Sequence, residues 1–242
     1  VCLTDETLAR FQKRIRSKGR VISNFVAPPA PCLENESQQP TQSLARTLVA
    51  MGRLEFEKGF DLLLHAFGQL ADRYPEWSLT IMGDGSLKKQ LALQTEALHL
   101  TPRVHFAGNL PDPFPLLSQA DLFVLPSRVE GFPNALCEAM AHGLPVVSFD
   151  CPSGPAQIIR HNVDGILVTP ESSDALAAAL DGLISDPQQR ARLASRAPEV
   201  LQRFSAETVL PLWESLFEDV GALKHAALRR TPAVQTAEMD NV

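Results

Sequence analysis

From residue 47 onward, short apolar runs alternate with segments whose apolar residues recur at helical spacing. The runs predict strands at 47–51, 78–82, 103–107, 121–125, 145–149 and 165–168. The periodic segments predict helices at 59–73, 86–98, 113–119, 134–142, 153–160, 173–185, 187–202 and 205–217. Such alternation implies parallel strands joined by right-handed crossovers, hence an α/β fold with a doubly wound, Rossmann-like parallel sheet. Asn162-Val163-Asp164-Gly165 reads as a turn. Upstream, Thr4 is an N-cap candidate for a helix over residues 4–18, with Leu8, Phe11 and Ile15 on one face; a strand over 20–24 follows. Pro28, Pro29, Pro31 and Pro40 keep the next stretch out of any core element. The expected division is therefore 1–24, a linker at 25–45, a sheet domain at 46–217 and a tail at 218–242 whose end is disordered.

Composition narrows the class. The chain has 242 residues, 45% of them hydrophobic, which supplies a substantial buried core. No run of 18 apolar residues is present to span a membrane. The start, Val1-Cys2-Leu3-Thr4-Asp5, has neither an initiator Met nor a signal pattern and reads as a piece of a longer chain. Cys2, Cys32, Cys137 and Cys151 show no metal-ligand spacing. Buried free thiols in a reducing cytosol are the expectation, with disulfides or a metal as the minority reading. The net charge of −6 divides unevenly: residues 1–20 carry six basic and two acidic side chains, residues 21–242 carry 16 and 26. An acidic domain is not a nucleic-acid binder. The basic stretch 10–20 has two readings, a solvated face or a contact with an anionic membrane.

Two glutamates separated by seven residues follow the strand at 121–125, in Glu130-Gly131-Phe132-Pro133-Asn134-Ala135-Leu136-Cys137-Glu138. Gly131 and Pro133 place Glu130 in a turn, and Glu138 falls one turn into the next helix. Both carboxylates then lie at the carboxyl edge of the sheet, where open α/β sheets bind ligands and where sugar hydroxyls would find acceptors. Arg53 and Lys58 flank the end of the first strand. Fixed cations there would stabilise charge building on a departing diphosphate. The plainer alternatives are surface pairing of Arg53 and Lys58 with Glu55 and Glu57, and a Glu138 favoured only by the helix dipole. Gly83-Asp84-Gly85 lacks the third glycine of a dinucleotide fingerprint and reads as a tight turn. No D-x-D triplet occurs to bridge a metal to a diphosphate, and His142 and His161 have no ligand spacing.

The run from Pro126 to Val147 resembles the signature of family 4 glycosyltransferases, retaining enzymes of the GT-B fold. Gly52-Arg53-Leu54-Glu55-Phe56-Glu57-Lys58-Gly59-Phe60-Asp61, Ile81-Met82-Gly83-Asp84-Gly85 and Val104-His105-Phe106-Ala107-Gly108 match further motifs in the same order. The resemblance implies one half of a GT-B architecture: residues 1–24 as a remnant of the N-terminal acceptor domain, and residues 46–217 as the C-terminal nucleotide-sugar-binding domain. It implies catalytic roles for Glu130, Arg53 and Lys58. Donor contacts would come from Arg53, Lys58, Glu138, Gly131, Phe132, Pro133 and Asn134, with Phe106 beside the base and Lys88 near base or phosphate. The implied donor is a nucleotide-diphosphate sugar, with UDP the first choice, used without metal or other cofactor. The implied acceptor is a glycan or lipid-linked glycan in the cytoplasm, at or near the membrane face. The missing acceptor half would leave this chain inactive alone. Gln157 stands where the family commonly has Glu.

Overall fold

The computed structural model describes residues 1–29 and 46–229. Its centre is one sheet of β1 (Arg46–Met51), β2 (Trp77–Met82), β3 (Val104–Gly108), β4 (Leu122–Leu125), β5 (Val146–Phe149) and β6 (Ile166–Val168). The spatial order is β3-β2-β1-β4-β5-β6 and every pairing is parallel. The order changes direction between β1 and β4, which opens a crevice at their carboxyl ends. β4 and β5 are buried along their whole length, as strands covered on both faces must be.

Each face has its own core. On one, α3 (Phe60–Ala71), α4 (Lys88–Ala97) and α8 (Ser173–Ser185) bury Leu63, Phe67, Leu91 and Leu180 against Leu79, Val124 and Val147. On the other, α6 (Asn134–Ala141) buries Leu136 and Met140 against Val49, Phe123 and Val146. The remaining helices of the sheet domain are α5 (Phe114–Gln119), α7 (Pro155–Ile158), α9 (Pro187–Arg196), α10 (Val200–Arg203) and α11 (Ala206–Arg229).

The doubly wound parallel sheet expected from the sequence is present, with each strand within a residue of its expected bounds. Four helix expectations need correction. Residues 4–18 form two short helices, α1 (Asp5–Ala9) and α2 (Lys13–Arg16), not one. Phe11 is 45% and Ile15 53% exposed, so no packed face supports a continuous helix. Residues 187–202 break at a 3-10 turn, Ala197–Glu199, because Pro198 removes a backbone donor. Residues 153–160 shrink to α7 because Ser153 and Gly154 have φ of +66° and +117°. The last helix does not end at residue 217 but runs to Arg229, so the tail begins inside α11.

The strand expected at 20–24 is also corrected. It is a single bridge from Cys2 to Val21, and among the described residues these two segments pair only with each other. The N-terminal segment is fastened to the sheet domain by Val26 N–H donating to the Phe204 carbonyl at 2.7 Å. Asn24 to Asn134 at 3.0 Å and Arg20 to Asp219 at 3.2 Å add side-chain ties. Residues 30–45 of the expected linker and 230–242 of the tail lie outside the described residues. No helix among the described residues is long and apolar enough to cross a membrane.

Candidate nucleotide-sugar site

The carboxyl ends of β1 and β4 meet because glycines permit it. Gly59 has φ +66°, and a Cβ there would stand 1.9 Å from the Pro126 carbonyl oxygen. Only glycine lets the start of α3 lie so close to the end of β4. The contact is sealed by Arg128, whose N–H donates to the Glu57 carbonyl at 2.8 Å. Its guanidinium grips Asp61 with two bonds of 2.8 and 2.7 Å and lies 4.0 Å from the centre of the Phe56 ring. Burial opposes the Asp61 charge, yet the bonds from Arg128 hold its carboxyl below the usual range. Arg128 was not singled out from the sequence. Its partner lies 67 residues away, and no local spacing announces the pair.

This clamp brings Lys58 and Glu130 together. Lys58 Nζ stands 2.6 Å from Glu130 Oε1, and the buried Ser127 hydroxyl donates to the same oxygen at 2.7 Å. The Glu130 side chain is only 7% exposed, so it is not a solvated loop glutamate. Both bonds fall on Oε1, which leaves Oε2 for a further donor. Glu55 does not pair with Lys58; it caps the next loop instead, accepting from the Ser86 N–H and hydroxyl at 2.9 and 2.6 Å. Arg53 does pair with Glu57, at 3.0 Å, and its side chain is 74% exposed. It therefore adopts the plain surface pairing here, at the mouth of the crevice.

The second glutamate sits apart from the first. Glu138 lies on α6 and faces a cavity of about 530 Å³ shared with Asn24, Phe25, Phe114, His142 and Trp213. Burial pushes its carboxyl above the usual range, partly offset by the nearby His142. His142 caps the end of α6, bonds the Glu138 carbonyl through Nδ1 at 2.8 Å and stacks on Phe114 at 5.0 Å. Burial likewise pushes the Cys137 and Cys151 thiols up to about 12, so neither is poised as a nucleophile.

The loop between the glutamates differs from expectation. Gly131 does not adopt a left-handed conformation, and a Cβ there would meet no atom within 4 Å. The glycine instead leaves open space above the backbone. Phe132 is buried edge-on against Phe204, with ring centres 5.3 Å apart, and Pro133 is the residue preceding α6. Asn134 opens α6 and is tied to Asn24.

A smaller cavity of about 320 Å³ opens at the ends of β1, β2 and β3, lined by Arg53, Asp84, Asn109, Leu110 and Pro113. Gly83, with φ +133°, lets the chain ends after β1 and β2 approach closely, since a Cβ there would stand 1.9 Å from the Gly52 carbonyl oxygen. Lys88 lies on α4 and pairs with Asp84 at 2.8 Å, at the cavity edge. Phe106 lies elsewhere. It is mid-strand and packs into the α3–α4 core, because its side chain points to that face of the sheet. Asn109 and Leu110, just past the strand end, line that cavity instead. The Gly108-Asn109 turn after an apolar strand was the available signal.

A family model described as glycosyl transferases group 1 matches residues 34–200, and the chain belongs to that family. Among curated relatives, a lipopolysaccharide core biosynthesis glycosyltransferase of Rhizobium meliloti is 33% identical over 78% of this chain and 55% of its own length. An exopolysaccharide phosphotransferase of Streptomyces coelicolor is 35% identical over 91% of this chain but only 23% of its own. An uncharacterised glycosyltransferase of Haemophilus influenzae is 28% identical, over 89% and 60%. The chain thus spans between 23% and 60% of the length of these relatives. Of solved structures, TarM of S. aureus, crystallised with UDP, superposes with a TM-score of 0.77 at 25% identity, over 89% of this chain and 43% of that one. HepE of Anabaena with UDP gives 0.74 at 27% identity, over 91% and 63%. These neighbours are GT-B glycosyltransferases, and the sheet described above is that fold's Rossmann-like unit.

Proposed function

We propose that this chain is the donor-binding half of a retaining family 4 glycosyltransferase that takes a UDP-sugar and extends a surface glycan or a lipid-linked glycan. The observation that carries the reading is the junction of Lys58, Ser127 and Glu130 in the crevice between β1 and β4. Lys58 is fixed where negative charge would build, and Glu130 offers Oε2 to hydroxyls of the bound sugar. The second cavity suits the base, Lys88 stands at its rim, and Glu138 suits the ribose. Arg53 would leave Glu57 to meet the diphosphate. The open backbone at Gly131, Phe132 and Pro133, together with Asn134 at the start of α6, forms the wall beside the leaving group. UDP in TarM and HepE supports the choice of nucleotide.

In the same-face reaction, the bond from the anomeric carbon to the leaving phosphate oxygen breaks. The acceptor hydroxyl oxygen bonds to that carbon and passes its proton to the departing phosphate. Lys58 and Arg53 stabilise the growing charge, most strongly in the transition state. In this reading Glu130 positions the sugar through its free Oε2 while Lys58 and Ser127 hold Oε1, and the departing phosphate, not Glu130, assists the acceptor. No paired aspartates are present to bridge a cation, so we propose that binding needs no divalent metal.

The acceptor would be gathered by a further domain, of which residues 1–24 are the last part, with residues 25–45 linking it to the donor domain. The reaction would run in the cytoplasm, at or near the membrane. A second reading is a non-catalytic nucleotide-sugar-binding module or an inactive fragment.

The test is UDP binding by calorimetry. Wild type should bind with or without a chelator. Arg53→Ala and Lys58→Ala should each weaken UDP roughly tenfold or more while leaving the thermal midpoint of Arg53→Ala unchanged. Binding abolished by the chelator, or unchanged in both variants, would sink the assignment.

A further inference from the structure

The loop after β5 holds two consecutive residues in unusual backbone conformations. Ser153 has φ +66° although it is not glycine, and Gly154 has φ +117°. The left-handed Ser153 is strained unless its surroundings fix it, whereas glycine accepts its angle freely. The surroundings here are of two kinds. On one side, Gly154 presses on the loop between the glutamates. A Cβ on it would stand 2.7 Å from Pro133 Cδ and 3.1 Å from the Gly131 carbonyl oxygen. The Glu130 N–H also donates to the Pro152 carbonyl of the loop after β5, at 3.4 Å.

On the other side stands α1, 146 residues away in sequence. The Ser153 N–H donates to Glu6 Oε2 at 2.6 Å, and the Thr7 hydroxyl donates to Ser153 Oγ at 3.2 Å. Thr4 fixes the Thr7 side chain, since its buried Oγ1 accepts from the Thr7 N–H at 3.1 Å and stands 2.8 Å from the Thr7 hydroxyl. Ser153 itself is 2% exposed, so its N–H has no solvent to turn to. The carboxylate of Glu6 thus satisfies a buried donor that the left-handed turn would otherwise strand.

We propose that Glu6 and Thr7 are positioning residues for the sugar end of the candidate donor site. They latch the Ser153–Gly154 turn, and the turn sets the place of residues 130–133. The role rests on the donor reading given above. It also joins the N-terminal segment to the site by a route independent of the chain's own linker, so contact of α1 and geometry at Glu130 are linked.

The experiment uses this chain with Glu6→Ala and Glu6→Gln. Glu6 is half exposed, so both variants should fold. Gln keeps an acceptor oxygen and Ala keeps none. The first readout is amide exchange, which does not depend on function. Exchange at Ser153 and Gly154 should quicken at least about tenfold in Glu6→Ala and stay near wild type in Glu6→Gln. Unchanged exchange in Glu6→Ala would overturn the latch. The second readout is affinity for UDP and for the best-bound of UDP-glucose, UDP-galactose and UDP-N-acetylglucosamine. Glu6→Ala should weaken the sugar nucleotide about three- to tenfold more than UDP, with Glu6→Gln restoring most of the difference. Equal weakening of both ligands, or none, would overturn the positioning role alone. A wild type that binds no nucleotide would overturn the donor reading and this role with it, while the exchange result would still decide whether the latch exists.

Discussion

Glu138 is a carboxylate whose partial burial carries a cost in stability. An unfolded glutamate titrates near about 4.3, and burial raises that value in the folded chain. The folded state therefore holds the proton more tightly than the unfolded one. Its carboxylate lowers stability above the raised value, and the cost vanishes as pH falls below the unfolded value. Glu138→Gln should accordingly melt higher than wild type at pH 7.5, with the gap closing by about pH 4. The same substitution should weaken UDP roughly ten- to hundredfold, because a charge-assisted bond to ribose is worth about 1.5–3 kcal/mol. Wild-type affinity should fall as acid protonates Glu138, starting above the range of an ordinary glutamate. Melting scans and UDP titrations at both pH values decide it. A variant that is less stable at pH 7.5 and binds UDP normally would return Glu138 to a plain helix residue.

At the scale of elements, the site is a consequence of how closely α3 approaches β4. Gly59→Ala would combine a left-handed backbone, costing about 1–2 kcal/mol, with a Cβ set against the Pro126 carbonyl. The loop should move, Lys58 should part from Glu130, and both stability and UDP affinity should drop. A crystal structure or chemical-shift map of the variant would show an undisturbed α3 if the argument is wrong. This approach was only half legible beforehand. The strands announced themselves because buried parallel strands are short apolar runs, and Glu130, Lys58 and Arg53 were found at their ends. The clamp of Arg128 on Asp61 and the latch of Glu6 on Ser153 were not found, because both join residues far apart in sequence through a fold that had first to exist. Phe106 was misplaced because a strand's two faces are distinguished only by what packs on them. The helix over residues 4–18 was overdrawn for the converse reason: its spacing was right, but among the described residues Phe11 and Ile15 stay about half exposed. Those two residues lie exposed among Arg10, Lys13, Arg14, Arg16 and Lys18, which suits an anionic surface. Vesicles with anionic lipid should sediment the chain at low salt and release it at 0.5 M salt, whereas a merely solvated face would give no sedimentation at either.

Across the whole molecule, the donor contacts proposed above all fall between Arg53 and Glu138, within a sheet domain that has its own two-faced core. The acceptor contacts are proposed to lie in further length, and the chain spans 60% or less of the three curated relatives compared above. Binding and transfer should therefore separate. The 242-residue chain should bind UDP, and should transfer no sugar until joined to the further length that those relatives possess. Within the joined protein the two glutamates should fail differently. Glu138→Gln should weaken UDP and the UDP-sugar alike, because ribose is common to both. Glu130→Gln should leave UDP affinity close to wild type and lower turnover, because its free oxygen addresses the sugar and positioning at the reacting carbon is lost. Titration of both ligands against both variants, with turnover measured on the joined protein, separates the roles. Equal loss of UDP affinity in the two variants would remove Glu130 from the sugar, and a sugar found covalently attached to Glu130 would replace the same-face reaction with double displacement.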